Sequence, residues 1–258
     1  MRRGLLATRS ELAELGQRIG RKPFDRMYDV LRKRCALILE SRPITETMWR
    51  SAWEHGRWGA ATYAVAGIQG RVFDLVIAHN IDPNAAYRDR AVEELDNLLR
   101  FSTWVDPSHE QMPADLCTGE ACATVAVAVD WLADELPADY RDRAVEVLLE
   151  KGLRPYLAAL EAGSFWQSCY HHWNAVINGG VGLAALLLSD EHPDAATALE
   201  RAKGCLKGFF DALGPDGGWD EGLGYWGYAM RYVLLLGEAL SRVAGDSWIL
   251  SRRGMDAT

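Results

Sequence analysis

The chain has no closely spaced cysteine pair, no excess of positive charge, no long apolar run and no strand-like alternation, and each absence removes a class of protein. Its five cysteines, Cys35, Cys117, Cys122, Cys169 and Cys205, are odd in number and show no Cys-x-x-Cys spacing, which argues against a disulfide frame or a zinc site. Reduced thiols fit the cytoplasm. A formal net charge of −8 disfavours nucleic acid or an acidic membrane surface as partner, because either would be repelled unless a local basic patch overrode the average. No segment reaches the roughly 18 to 20 apolar residues of a membrane span, and the start, Met1-Arg2-Arg3-Gly4-Leu5-Leu6-Ala7-Thr8-Arg9-Ser10-Glu11, returns to charge before a signal-peptide core could form. Without short β-branched alternation, strands are not expected.

What is there is helical and repetitive. With 49% hydrophobic residues over 258 positions, the chain can bury a large core, and it reads as a single domain over 1–258. Ser10 serves as an N-cap for a short amphipathic helix ending near Gly20, and residues 24–40 form a second helix with one apolar stripe. Then a unit recurs roughly every 50 to 60 residues: a loop, a buried apolar helix, a turn with Pro and Asp, and a charged helix. The apolar helices are expected at 59–78, 121–132, 175–188 and 225–243; the charged ones at 85–101, 140–160 and 195–213. A helix apolar nearly all round needs neighbours on several sides. The fold class is therefore all-α, an incomplete α/α toroid of helical hairpins with apolar inner and charged outer helices.

If the inner helices run the same way, the loops before them open on one rim, which gathers Trp53 to Trp58, Trp104 to Glu120, Tyr170 to Asn174 and Trp219 to Tyr225. Helix N-termini there favour a bound anion. Some neighbouring features read as structural: Asn178-Gly179-Gly180 as a close helix-packing surface, Asp216-Gly217-Gly218 as a turn, and Trp58, Trp104 and Trp131 as core.

Four segments together resemble the heparinase II/III-like polysaccharide lyases: Gly4-Leu5-Leu6-Ala7-Thr8-Arg9-Ser10-Glu11-Leu12; Asp115-Leu116-Cys117-Thr118-Gly119-Glu120 with Val129-Asp130-Trp131-Leu132; Trp173-Asn174-Ala175-Val176 with Asn178-Gly179-Gly180; and Pro215-Asp216-Gly217-Gly218 with Glu221-Gly222 and Tyr225-Trp226. The resemblance implies an α/α toroid that acts on uronic-acid polysaccharides by β-elimination, with epimerisation of uronates as the activity of related enzymes. It departs from the family in having His171-His172-Trp173-Asn174 where many relatives have Asn-Asn-Trp-Asn or Asn-His, and in lacking the C-terminal β-sandwich. Any metal is expected in that absent region; none is expected in this chain, and no cofactor.

β-Elimination at a uronate needs a group to neutralise the carboxylate, a base for the C5 proton and an acid for the leaving oxygen on C4. Asn174, or a protonated His172, would hold the carboxylate; Tyr225 is the proton carrier that the resemblance implies. A tyrosine with its ordinary pKa near 10 acts unaided only as an acid, so His172 as base with Tyr225 as acid is as economical as Tyr225 in both roles. Binding roles fall to His171, to Trp173, Trp219 and Trp226, the three tryptophans whose rings could stack on sugars, to Glu221 and Glu120, and to Arg57 or His55 for a second anionic group. The rival enzyme is an α/α-toroid glycoside hydrolase with Glu120 and Glu221 as its acid and base. A glycan-binding helical scaffold is the non-catalytic alternative. The expected partner is an acidic polysaccharide or oligosaccharide, with a homo-oligomer invited by an apolar edge near Tyr232 to Leu240.

Overall fold

The computed structural model describes residues 4–255, and every regular element among them is helical. The α-helices are α1 (Arg9–Gly16), α2 (Phe24–Glu40), α3 (Glu46–Glu54), α4 (Ala60–Ile81), α5 (Ala85–Arg100), α6 (Leu116–Trp131), α7 (Ala138–Val147), α8 (Arg154–Glu161), α9 (His172–Leu188), α10 (Pro193–Ala212) and α11 (Gly222–Ala244). No helix among the described residues is long and apolar enough to cross a membrane, and all five cysteines are free.

Helix α9 packs against α6, α10 and α11, while α4 packs against α5 and α6. Small residues make this possible. A Cβ on Gly119 of α6 would sit 2.6 Å from the Val176 carbonyl oxygen of α9, and one on Gly180 of α9 would overlap the Gly119 carbonyl. A Cβ on Gly179 would lie 2.8 Å from the backbone of Tyr232 in α11. The Asn-Gly-Gly segment thus lets two neighbours meet α9 backbone to backbone. Every residue of α6 is buried, and most of its polar side chains are bonded: Thr118 donates to the Trp104 carbonyl at 2.8 Å, Thr124 to the Glu120 carbonyl at 2.7 Å, and Asp130 accepts from the Gly4 and Leu5 N–H groups, while Glu120 Oε2 and Trp131 Nε1 have no partner among the described residues. A further polar chain joins three helices, with Tyr232 of α11 donating to Gln69 of α4 at 2.9 Å and Gln69 donating to the Glu120 carbonyl of α6 at 3.1 Å.

Several boundaries differ from expectation. Thr8, not Ser10, caps α1, because Thr8 and Glu11 form a reciprocal capping box, and the helix stops at Gly16 rather than near Gly20. The expected helix at 140–160 is interrupted by a π-helical stretch, Leu148–Leu153. Pro155 has no N–H for the Lys151 carbonyl, and Gly152 is pressed on Cys122, where a Cβ would lie 2.5 Å from its sulfur. Helix α5 is not simply a solvated helix. Its Glu94 is fully buried and binds Arg90 at 2.9 Å and Arg71 at 2.7 Å. Most of the apolar edge expected at Tyr232 to Leu240 is covered: Tyr232, Val233, Leu236, Ala239 and Leu240 are buried, Ile249 and Leu250 lie over Gly237, and Leu234 remains exposed. Trp104 and Trp131 are core, as expected, but Trp58 is 67% exposed.

Gly180→Ala tests the helix crossing. It is expected to destabilise the fold by the upper end of about 1–3 kcal/mol or beyond, through overpacking against backbone that cannot rotate away. Gly204→Ala, where a Cβ meets nothing within 4 Å in α10, should gain up to about 1 kcal/mol. Urea unfolding of the two variants reads the difference.

Candidate active site

The N-terminal turns of α4, α6, α9 and α11 border one cavity of about 480 Å³. Helix α4 contributes Thr62 and Tyr63, with Trp58 just before it; α6 contributes Leu116 and Glu120; α9 contributes His172 and Trp173; α11 contributes Tyr225 and Tyr228; and His109 comes from the loop ahead of α6. The wall is mostly aromatic. No Lys or Arg lines it among the described residues.

Carboxylates at the helix starts organise the polar groups. Asp106 accepts from the Ala61 and Thr62 N–H groups of α4 at 3.0 and 3.1 Å. Asp115 caps α6 through the Cys117 N–H at 2.9 Å, and its other oxygen accepts from the Asp106 N–H at 2.9 Å and pairs with His109 Nδ1 at 2.8 Å. Glu221 does the same for α9: its carboxylate accepts from the His172 N–H at 2.6 Å and meets His172 Nδ1 at 3.0 Å. Negative charge is favoured at these positions by the free N–H groups and the helix dipole.

The two histidine–carboxylate pairs differ in their surroundings. The Asp115 hydrogen bond raises the His109 pKa against an opposing desolvation. Burial pushes the Asp115 carboxyl up, against the hydrogen bonds from His109 and the Asp106 N–H, which favour its charged form. At His172 burial dominates and lowers the pKa, with Glu221 opposing. One cavity therefore holds a histidine biased towards its cation and one biased towards its neutral form, the division that separates acid and base roles. With Nδ1–H turned to Glu221, the neutral His172 ring keeps Nε2 as an acceptor. Its face stacks on Tyr225, ring centroids 4.2 Å apart and planes 15° from parallel.

Glu120 is a third unusual group. It is 1% exposed, and burial raises its pKa to about 8 in spite of the hydrogen bond that Tyr228 donates to Oε1 at 2.6 Å. Its Oε2 has no hydrogen-bond partner among the described residues. The Tyr228 hydroxyl is pushed far up by burial and keeps its proton.

His171, His172 and Glu221 bring ligand atoms within 4.8 Å of one another, so they could hold a metal ion, a role the sequence did not suggest. A cation there would face the N-terminal end of α9, which disfavours positive charge, and would compete with the His172–Glu221 pair.

No protein-family model and no curated protein matches the chain.

Of the residues singled out in the sequence, His172, Trp173, Tyr225 and Glu120 border the cavity, and Glu221 stands behind His172. Asn174 does not serve there. It is fully buried inside α9, its amide donating to the carbonyls of Trp166, Gln167 and Cys205 at 3.1, 3.3 and 2.9 Å, so it ties the preceding loop and α10 together. His171 packs beside Phe165 at 5.8 Å and Cys169 at 3.6 Å. Trp219 and Trp226 donate to the Tyr170 and Gly217 carbonyls and border a separate hollow with Leu223. His55 bonds its own helix at Ser51, and Arg57 lies over the Tyr63 ring, 5.3 Å from its centroid, so neither lines the cavity. Trp53 belongs to α3 rather than to a loop. His109, Tyr228, Tyr63 and the exposed Trp58 were missed. The only sequence sign of His109 was its place in the loop between two helix-capping aspartates.

Glu120 gives a measurable linkage. The folded state holds its proton between the usual carboxylate pKa of 4.5 and about 8, where the unfolded chain has lost it, so this group lowers stability progressively as pH rises through that window. Glu120→Gln cannot ionise. The stability of the wild type relative to Glu120→Gln should therefore fall from pH 5 to pH 8 and level off above, read by thermal melts in matched buffers.

Proposed function

We propose that the chain is an α/α-toroid domain of the heparinase II/III-like kind, a single unit over 1–258 that cleaves a uronate-containing polysaccharide or oligosaccharide by β-elimination. The observation that carries this reading is the neutral-biased His172, held by Glu221 and stacked on Tyr225 inside an aromatic-walled cavity. The convergence of four helix N-termini on that cavity supports the toroid arrangement, with buried α6 and α9 as inner helices. The resemblance carried by the Trp-Asn-Ala-Val and Pro-Asp-Gly-Gly segments supports the reaction class.

In this reading His172 Nε2 takes the C5 proton of the uronate. The C5–H electron pair becomes the C4–C5 double bond, the C4–O bond breaks, and the leaving oxygen receives the Tyr225 hydroxyl proton. Glu221 fixes the tautomer and steadies the imidazolium that forms. Trp58, Trp173 and Tyr63 offer faces for sugar rings. Asn174 is replaced in the carboxylate role, since its amide is spent within the fold.

The hydrolase alternative is weaker, because Glu221 is engaged by His172 and Glu120 by Tyr228, leaving no pair of free carboxyls across a gap. A uronate C5-epimerase would use the same base but return the proton to C5.

The test is ultraviolet absorbance of the unsaturated product with a panel of uronate polymers. His172→Ala and Tyr225→Phe should each lower kcat by about 10²- to 10⁴-fold while the fold is kept. Because His172 must be neutral to act and its pKa is lowered, kcat/KM should rise with pH through a midpoint below 6.5. Solvent deuterium entering C5 without chain cleavage would favour the epimerase, and binding without either reaction would leave a glycan-binding scaffold.

A further inference from the structure

Elimination requires the uronate carboxylate to be neutralised, yet Asn174 is buried and no Lys or Arg lines the cavity among the described residues. His172 cannot be both base and cation. We propose that His109, oriented by Asp115 and flanked by Trp173 and Trp58, binds the carboxylate of the sugar whose C5 proton is removed. This rests on the elimination reading, and it assigns a specificity site that the sequence did not reveal.

Geometry supplies the argument. His109 borders the same cavity as His172 and Tyr225. Its Nδ1 is committed to Asp115 at 2.8 Å, which leaves Nε2 without a partner among the described residues; Nε2 becomes a donor when the ring is protonated, the form that the Asp115 hydrogen bond favours. The ring cannot swing freely. Trp173 meets it edge-on at 4.8 Å and Trp58 at 6.4 Å.

Two acidic groups lie beside the imidazole, Asp115 and Asp106, and by themselves they leave a local negative charge. Both, however, sit on helix starts, where the N–H groups of α6 and α4 take part of their charge. The charge of both carboxylates is thus shared with helix N–H groups rather than directed at the imidazole alone. The remaining acidic group in the wall, Glu120, is held largely in its neutral form at pH 7. A carboxylate in the cavity thus meets one imidazole biased towards its cation, and that imidazole belongs to a different element from the base, as an acid–base division needs.

The experiment compares a glucuronate-containing oligosaccharide with its methyl ester by calorimetry, in the wild type, His109→Gln and Asp115→Asn. Asparagine can keep the Cys117 N–H cap of α6 through Oδ1, but its Nδ2 can accept neither from His109 Nδ1–H nor from the Asp106 N–H, so His109→Gln, which leaves Asp115 in place, is the cleaner arm. A charge-assisted hydrogen bond predicts that the wild type prefers the free acid by about tenfold or more. Both variants should lose that preference and keep their affinity for the ester, a readout that a merely structural role would not move. An unchanged preference in His109→Gln, or none in the wild type, overturns the assignment. The two readings separate cleanly. Unsaturated product formed with the preference unchanged in His109→Gln removes His109 and leaves elimination standing; a preference carried by His109, with no unsaturated product from any uronate polymer, establishes the carboxylate site and removes elimination.

Discussion

The backbone contact between α6 and α9, at Gly119 and Gly180, is the constraint on which the rest of the structure depends. Each glycine inside a helix costs about 1 kcal/mol of propensity relative to alanine. That cost is offset because the two helices then approach without side chains between them, and Val176 and Ile177 close the gap. The consequence reaches the site directly. Gly119 lies one turn from Asp115, which starts α6 and holds His109. On the other helix, Asn178 donates back to the Asn174 carbonyl at 2.7 Å and Asn174 fixes the loop carrying Trp166. The first turns of α6 and α9 are thus set relative to one another by packing between the helices rather than by the loops that precede them.

Electrostatics follows from the same placement. Each of α4, α6 and α9 has a carboxylate at its start, supplied by Asp106, Asp115 and Glu221. Two of these three also hold a histidine. What separates His109 from His172 is the balance of desolvation against pairing: the Asp115 bond prevails at one and burial at the other. Helix capping and acid–base tuning are therefore done by the same side chains. A substitution made to alter one will alter the other.

Much of this architecture was legible because helices are written in period and punctuation. Residues 24–40 matched α2 in full, and the charged helix expected at 85–101 is α5, which Asn84 starts by accepting from the Ala86 N–H. The π-helical stretch was not legible, since it arises from Pro155 together with a tertiary contact of Gly152 on Cys122. The site was half legible. His172 and Tyr225 stand at helix starts in motifs rich in aromatics, and Glu221 belongs to the segment that carried the resemblance. Asn174 misled because a polar residue one turn into a helix reads alike whether it faces a cavity or the core; three carbonyl acceptors decide it here. Trp58 misled in the opposite sense, as a tryptophan beside a glycine-rich buried helix that remains exposed. His109 carries no motif at all, and only the folded loop brings it to Asp115 and the cavity.

The buried Glu120 becomes intelligible once the proposed substrate is considered. An ionised carboxylate in this wall would repel a uronate in a cavity without Lys or Arg, and would carry a heavy desolvation cost of its own. Burial instead raises its pKa to about 8, so at neutral pH it is mainly a neutral acid that accepts from Tyr228. Tyr228 in turn lies 5.8 Å from the His172 ring and 5.8 Å from Tyr232, which bonds Gln69. The chain of polar groups from α4 through α11 to α6 therefore stiffens the cavity floor without adding negative charge to it. The groups that must change protonation in the proposed reaction are left in the wall above.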